Sequence, residues 1–358
     1  MKKYAKKWLS LFLVGIMAFT MAGCSTSGSS ASSAPSNTPS ETSAQAPKID
    51  YPKYDITAVC QFGAGGGNDI QMRAIAPYLK KYLPNNVNVV VDNRTGGGGI
   101  VATNYVWSAK PDGYTLLQGQ IGNMLVQQLT SEEIQFKNHE FRWLGIYSID
   151  NLVVVLRPDI NVSTWDQLVD YANNNTLKIG TAGAGSNTHM QAAFFLSATG
   201  LKGQLVHYAD GTPGVIGGFG RGEIDMYIFS IGSQSISAVS NGTVKNFCVI
   251  SNDTNEFLTE VPTVAEIGMP VEMVNDVLAC PLIGAPRGIA APPNTPDEII
   301  AILDEAIQKV FADPELVDWA KQNMLNWTPM NADESQQWVV QGLDKLAAYS
   351  DMLKEVVG

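Results

Sequence analysis

Two stretches of this chain bring together residue types that hold anions. Gly63-Ala64-Gly65-Gly66-Gly67-Asn68-Asp69 follows the apolar run Val59-Cys60-Gln61-Phe62, and Ala182-Gly183-Ala184-Gly185-Ser186-Asn187-Thr188-His189 follows Leu177 to Gly180. Glycine admits positive φ and lets a ligand reach the backbone with no Cβ in the way. Asn68 or Asp69 can cap the helix that the apolar spacing predicts from Ile70 to Tyr82. The free N–H groups at such a helix start attract negative charge. Neither stretch is a nucleotide loop: after Gly63 and Gly65, Asn68 stands where a dinucleotide fingerprint needs its third glycine, and the Gly-Lys-Ser/Thr ending of a phosphate loop is missing. A single glycine loop can be no more than a tight turn. Two of them at strand ends point to a cleft.

Catalytic alternatives are thinner. Ser186, His189 and Asp210 supply the residue types of a nucleophile set, which would make the chain a secreted hydrolase acting on a small carboxylate or ester, but no Gly-x-Ser-x-Gly elbow is present. The remaining histidines are His139 and His207. His139 beside Glu140 lacks a second ligand at helical spacing, and His207 reads as packing or cleft lining, so no metal, cofactor or catalytic residue is expected. Neither glycine loop holds Lys or Arg. Arg73, four residues after Asp69, is placed to pair with it along the helix, and Arg94 fits a structural role as well as a ligand contact. An anion would therefore be held chiefly by backbone N–H groups around Gly65 to Asn68 and Ser186 to His189, helped by hydroxyl and amide side chains.

The surrounding chain supplies the frame. Its 358 residues, 45% hydrophobic and 16% charged, suggest a soluble protein with more than one core. Residues 1–23 read as an export signal, with four lysines and then the apolar run Trp8 to Met21, shorter than the ~18–20 residues that a membrane crossing requires. Their removal takes the formal charge from −11 to −15, which argues against nucleic acid and means that any anion must be attracted locally. Met21-Ala22-Gly23-Cys24 resembles a bacterial lipobox with Cys24 as the lipidated residue. Residues 24–50 are too poor in bulky apolar residues to fold and read as a tether. Cys60, Cys248 and Cys280 lack metal spacing and read as buried thiols, with one disulfide among them left open.

From Asp55 onward strand and helix signals alternate, as in a mainly parallel sheet with helices on both faces that binds ligands at the carboxyl ends of its strands. The sheet pattern restarts at Leu152. The chain finishes in helices from Pro296, and with no strands of their own these must pack on the first sheet. This gives one lobe from 51–151 and 276–358, a second from 152–275, and crossings near Asn151 and Asp276.

In this order the residues resemble a known family, the extracytoplasmic solute-binding (Bug-type) receptors of tripartite tricarboxylate transporters. Ala64 to Asp69 is similar to their first ligand loop, Asp92-Asn93-Arg94-Thr95-Gly96-Gly97-Gly98-Gly99 to their Glu-Asn-Arg-Pro-Gly-Ala-Gly-Gly segment, and Pro111-Asp112-Gly113-Tyr114-Thr115-Leu116-Leu117 matches unchanged. Gly185 to His189 resembles their second ligand loop, and Val261 to Gly268 and Gly288 to Pro292 are also similar. The resemblance implies an α/β, two-lobed type II periplasmic-binding-protein fold with the cleft between lobes. It implies a monomeric receptor, held to the outer face of the bacterial cytoplasmic membrane by its lipid, that delivers a di- or tricarboxylate or related acid to integral membrane permease subunits. The implied ligand-binding set is Phe62, Gly65, Gly66, Gly67, Asn68, Asp69, Asn123, Ser186, Asn187, Thr188, His189, Asp210, Gly211 and Thr212. Gln61-Phe62-Gly63 and Tyr208 to Pro213 depart from the family pattern and would shape the pocket beyond the carboxylate.

Overall fold

The computed structural model describes residues 49–279 and 284–357. The expected leader, most of the tether, Cys24 and Cys280 lie outside them. In chain order, β1 (Ile56–Cys60), α1 (Gly67–Tyr82), β2 (Val89–Asn93), α2 (Ile100–Trp107), β3 (Thr115–Gln120), α3 (Ile121–Thr130) and β4 (Arg142–Asp150) come first. Then follow β5 (Leu152–Leu156), α4 (Trp165–Asn174), β6 (Lys178–Thr181), α5 (Asn187–Thr199), β7 (Gln204–His207), α6 (Thr212–Gly220), β8 (Met226–Ser230), α7 (Ser233–Ser240), β9 (Lys245–Ile250) and α8 (Val271–Leu278). The chain ends with β10 (Ala285–Ala291), α9 (Asp297–Phe311), α10 (Pro314–Gln322), β11 (Trp327–Met330), α11 (Ala332–Ala347) and α12 (Ser350–Val357).

The strands form a six-stranded sheet, β11-β4-β10-β3-β1-β2, and a five-stranded sheet, β7-β6-β8-β5-β9. The α/β class stands, but each sheet is mixed rather than mainly parallel. β2-β1-β3 and β7-β6-β8 are parallel, whereas β10 runs against β3 and β4, β11 against β4, and β5 against β8 and β9. Central strands are apolar on both faces, as burial on both sides demands: all five residues of β5 are buried. The chain passes directly from β4 into β5 at Asn151, leaving one sheet for the other.

The C-terminal segment is not purely helical, which corrects the sequence reading. From Pro296 onward it contains the short β11, and just ahead of Pro296 stands β10, in the middle of the first sheet. Ala285-Pro286-Arg287-Gly288 reads as a loop by composition, yet tertiary packing makes it a strand. Gly288 is required there because an added Cβ would come within 2.8 Å of the Gly145 carbonyl on β4. At the far end, α12 lies against both α3 and α5. Its Leu353 shares a buried cluster with Met190 and Phe194 of α5, and the Phe194 and Tyr349 rings meet edge-on at 4.8 Å.

Candidate functional site

The glycine loops close β1 and β6 at their carboxyl ends and start α1 and α5, and they are built alike. Gly63 O accepts from Gly66 N–H at 3.2 Å, and Gly183 O accepts from Ser186 N–H at 3.2 Å. Positive φ falls on Gly65 (+78°) and Gly185 (+71°). The next residue is the N-cap in both cases, extended at φ −76° for Gly66 and −72° for Ser186. Four residues after each positive-φ glycine, a side chain reaches back to it. Gly65 N–H donates to Asp69 Oδ2 at 2.8 Å, and Gly185 N–H donates to His189 Nδ1 at 3.0 Å.

This geometry corrects the expected capping. Asp69 braces the turn from behind, and Gly66, with ordinary φ, caps α1 with no side-chain acceptor. In the second loop Ser186 Oγ accepts from His189 N–H at 3.2 Å. The first turn of α1 therefore keeps backbone donors with no side-chain partner, the condition for anion attraction.

The bracing residues explain the electrostatics. Asp69 is buried and bonded by Arg73 Nε at 2.9 Å, while Arg73 Nη2 donates to Asn93 Oδ1 at 3.0 Å. The Arg73 guanidinium, against the cost of burial and with help from Gly65 N–H, holds the Asp69 carboxyl below its usual range. Asp69 is thus committed to the loop. His189 accepts from a backbone N–H through Nδ1, so its ring proton sits on Nε2. Burial, reinforced by the His207 ring with its centroid 4.4 Å away, pushes its pKa down to about 4. Ser186 Oγ meets the His189 main chain and Thr188 Oγ1 (3.1 Å), while the imidazole is turned to Gly185. No nucleophile–base pair forms between these side chains in this geometry.

Both loops open onto one cleft containing two adjoining cavities. The smaller, about 410 Å³, is lined by Gly65, Gly66 and Gly67 on one side, Asn187, Thr188 and Thr212 on the other, with Asp150 and Arg287 also in its wall. The larger, about 720 Å³, continues past Phe62, Gly98, Asn123 and Ser186. Gln120, Asn187, Thr188 and Thr212 border both. Of the expected set, Phe62, Gly65, Gly66, Gly67, Asn123, Ser186, Asn187, Thr188 and Thr212 come together here. Asn68, Asp69, His189, Asp210 and Gly211 are absent from the lining of either cavity.

Several lining residues escaped the sequence reading. Arg287 on β10 is buried, with Nε donating to Asn68 Oδ1 at 2.9 Å and Nη1 to Asp150 Oδ2 at 2.5 Å. Its signal was a lone arginine in an apolar run, since a buried charge needs a partner. Gly96 to Gly99 all take positive φ, and the carbonyl of Gly98 accepts from Asn123 Nδ2 at 2.6 Å and Gln127 Nε2 at 3.0 Å. Arg94 instead pairs with Asp92 at 2.7 Å and lies 3.5 Å over the Tyr105 ring. It lines neither cavity. Among the described residues no group of three or more His, Cys, Asp or Glu is arranged to hold a metal, and no helix is long and apolar enough to cross a membrane.

A two-sheet α/β protein with paired glycine loops facing one cleft has the architecture of a solute-binding receptor. The sequence model described as tripartite tricarboxylate transporter family receptor matches residues 72–355, and the chain belongs to that family. It is 31% identical over 286 residues to a UPF0065 protein of Pseudomonas sp. (strain P51), covering 78% of this chain and 81% of the relative. Solved structures share the fold. An R. palustris protein determined with adipate aligns with a TM-score of 0.71 at 21% identity, covering 85% of this chain and 98% of that one. MatC from Rhodopseudomonas palustris, determined with malate, aligns with a TM-score of 0.64 at 20% identity, covering 86% and 100%.

Proposed function

We propose that this receptor binds a small carboxylate solute between two lobes, outside the cytoplasm, and hands it to the membrane permease subunits of a tripartite transporter. The observation that carries the reading is the matched pair of glycine loops, each presenting a helix start to the same cleft. A carboxylate between the N–H groups of Gly67 and Asn68 at the start of α1 and those of Asn187 and Thr188 at the start of α5 accepts from both sides, and charge-assisted bonds of this kind are the stronger ones. The adipate and malate bound by two structural neighbours are both carboxylates, which supports the same chemistry here. Lipidated Cys24 anchors the receptor at the outer face of the cytoplasmic membrane, with residues 24–50 as tether.

Native mass spectrometry of freshly purified protein, followed by calorimetric titration with the acid it carries, tests the ligand. A carboxylate that binds and is recovered unchanged is expected, and its turnover would replace the receptor with an enzyme. Cys24→Ala is expected to move the protein from the membrane to the soluble fraction. Identical partitioning of variant and parent defeats the anchor.

A further inference from the structure

We infer that the solute is a monocarboxylate with an uncharged body that carries a hydrogen-bond donor, rather than a di- or tricarboxylate. The inference rests on the receptor reading above and concerns the same cleft.

The charges come first. A helix start is worth roughly half a positive charge, so α1 and α5 together match about one carboxylate. Among the described residues, the ionisable ones lining the two cavities are Arg287, Asp150 and Glu133, two acids against one base. The charge of the base is already paired: Asp150 neutralises Arg287 at 2.5 Å and Asn68 takes its Nε, which leaves guanidinium N–H groups but no net charge at the pair. The two arginines that follow the first glycine loop are committed elsewhere, Arg73 to Asp69 and Arg94 to Asp92. Residues 280–283 read Cys-Pro-Leu-Ile and add no base. A second carboxylate in this cleft would lose water without gaining a counter-charge, in a protein whose own field is negative.

The donors and acceptors agree. In the larger cavity the carboxamides of Asn123 and Gln127 both point their N–H groups at the Gly98 carbonyl, at 2.6 and 3.0 Å. A carbonyl accepts only from a donor, which fixes the orientation of both amides. Gln127 gives its other N–H to the Gly97 carbonyl at 3.3 Å, so what it leaves for a ligand is oxygen, while Asn123 leaves its oxygen and one N–H. Gln127 is 8% exposed, and its Oε1 has no partner, a buried acceptor that costs free energy until a donor reaches it. Glu133 borders the same cavity. An amide oxygen and a carboxylate repel a second carboxylate and welcome a hydroxyl or N–H, while Phe62, Ile100 and Val126 offer apolar wall for the carbon skeleton.

The test is calorimetric titration of the mature protein with matched triplets: hexanoate, ω-hydroxyhexanoate and adipate, then benzoate, para-hydroxybenzoate and terephthalate. Within each triplet that binds, the hydroxy acid is expected to bind about tenfold or more tightly than the diacid, about 1.4 kcal/mol. Raising salt should narrow that gap by screening the repulsion. Thr130→Lys, which sets a base on the wall of the larger cavity, is expected to improve the diacid relative to the hydroxy acid. A diacid that binds tightest in the parent, or a preference that Thr130→Lys leaves untouched, overturns the inference while leaving the receptor reading intact. If no compound of either triplet binds, the acid recovered by native mass spectrometry decides: a di- or tricarboxylate overturns the inference alone, and the absence of any carboxylate binding overturns the receptor reading itself.

Discussion

Gly67→Ala separates folding from binding at the first loop. Gly67 is the first residue of α1, exposed in the wall of the 410 Å³ cavity, and a Cβ added there would meet nothing within 4 Å. Its backbone is helical, so alanine relieves glycine's conformational entropy and should stabilise the fold by up to about 0.5–1 kcal/mol, less at a helix start than in its middle. For a chain of this size that is a rise of roughly 1–2 °C in Tm. The same methyl group stands where a carboxylate must approach the N–H groups of the first turn. A hydrogen bond to a charged group is worth about 1.5–3 kcal/mol, so holding the ligand off one such donor should weaken binding roughly 10- to 100-fold. Gly65→Ala provides the contrast. At φ +78°, alanine costs about 1–2 kcal/mol of stability, and Tm should fall. Thermal scans and calorimetric titration of both variants give the answer. Gly67→Ala with parental affinity would refute amide recognition at α1.

Three further outcomes are expected. Because the folded protein holds His189 near pKa 4, below the ordinary 6.5, it favours the neutral ring. That contribution to stability is complete above about pH 6.5 and is lost as pH falls through 4. Tm should therefore drop more steeply over that window in the parent than in His189→Asn, and equal slopes would remove His189 from the account. Saturating carboxylate should reduce the radius of gyration in small-angle scattering through a hinge near Asn151 and Asp276. An unchanged radius excludes closure. Cys60 and Cys248 are fully buried free thiols, with burial pushing Cys60 up to about 12 and Cys248 higher still, so peptide mapping should find neither alkylated by iodoacetamide until denaturant is added.

What could be read in the sequence follows where local signals agree with the fold. The glycine loops, the α1 and α5 helices and the apolar β5 announce themselves because backbone freedom, capping and double-sided burial leave compositional marks. β10 does not. Its Pro286, Arg287 and Gly288 argue locally against a strand, and only pairing with β3 on one side and β4 on the other, where Gly288 passes the Gly145 carbonyl, makes it one. The floor of the cleft was hidden for the same reason: Arg287, Asp150 and Asn68 meet across separations of 137 and 219 residues. Asp69 and His189 were visible as polar residues at the loops, but the sequence could not say that each turns backward to hold a glycine rather than forward to the ligand.

The likeness of the two loops bears on how the cargo leaves. If a carboxylate is held as proposed, half by the first turn of α1 and half by Asn187 and Thr188, it has no complete site on either side, so the grip would exist only while the walls face each other. Parting them by a few ångströms deletes half of the hydrogen bonds at once, with no competing anion and no change in protonation. On the proposed function, unloading would be a mechanical act: a docked permease that props the cleft open would convert its own contact energy into release, and the emptied receptor would leave with both rims hydrated.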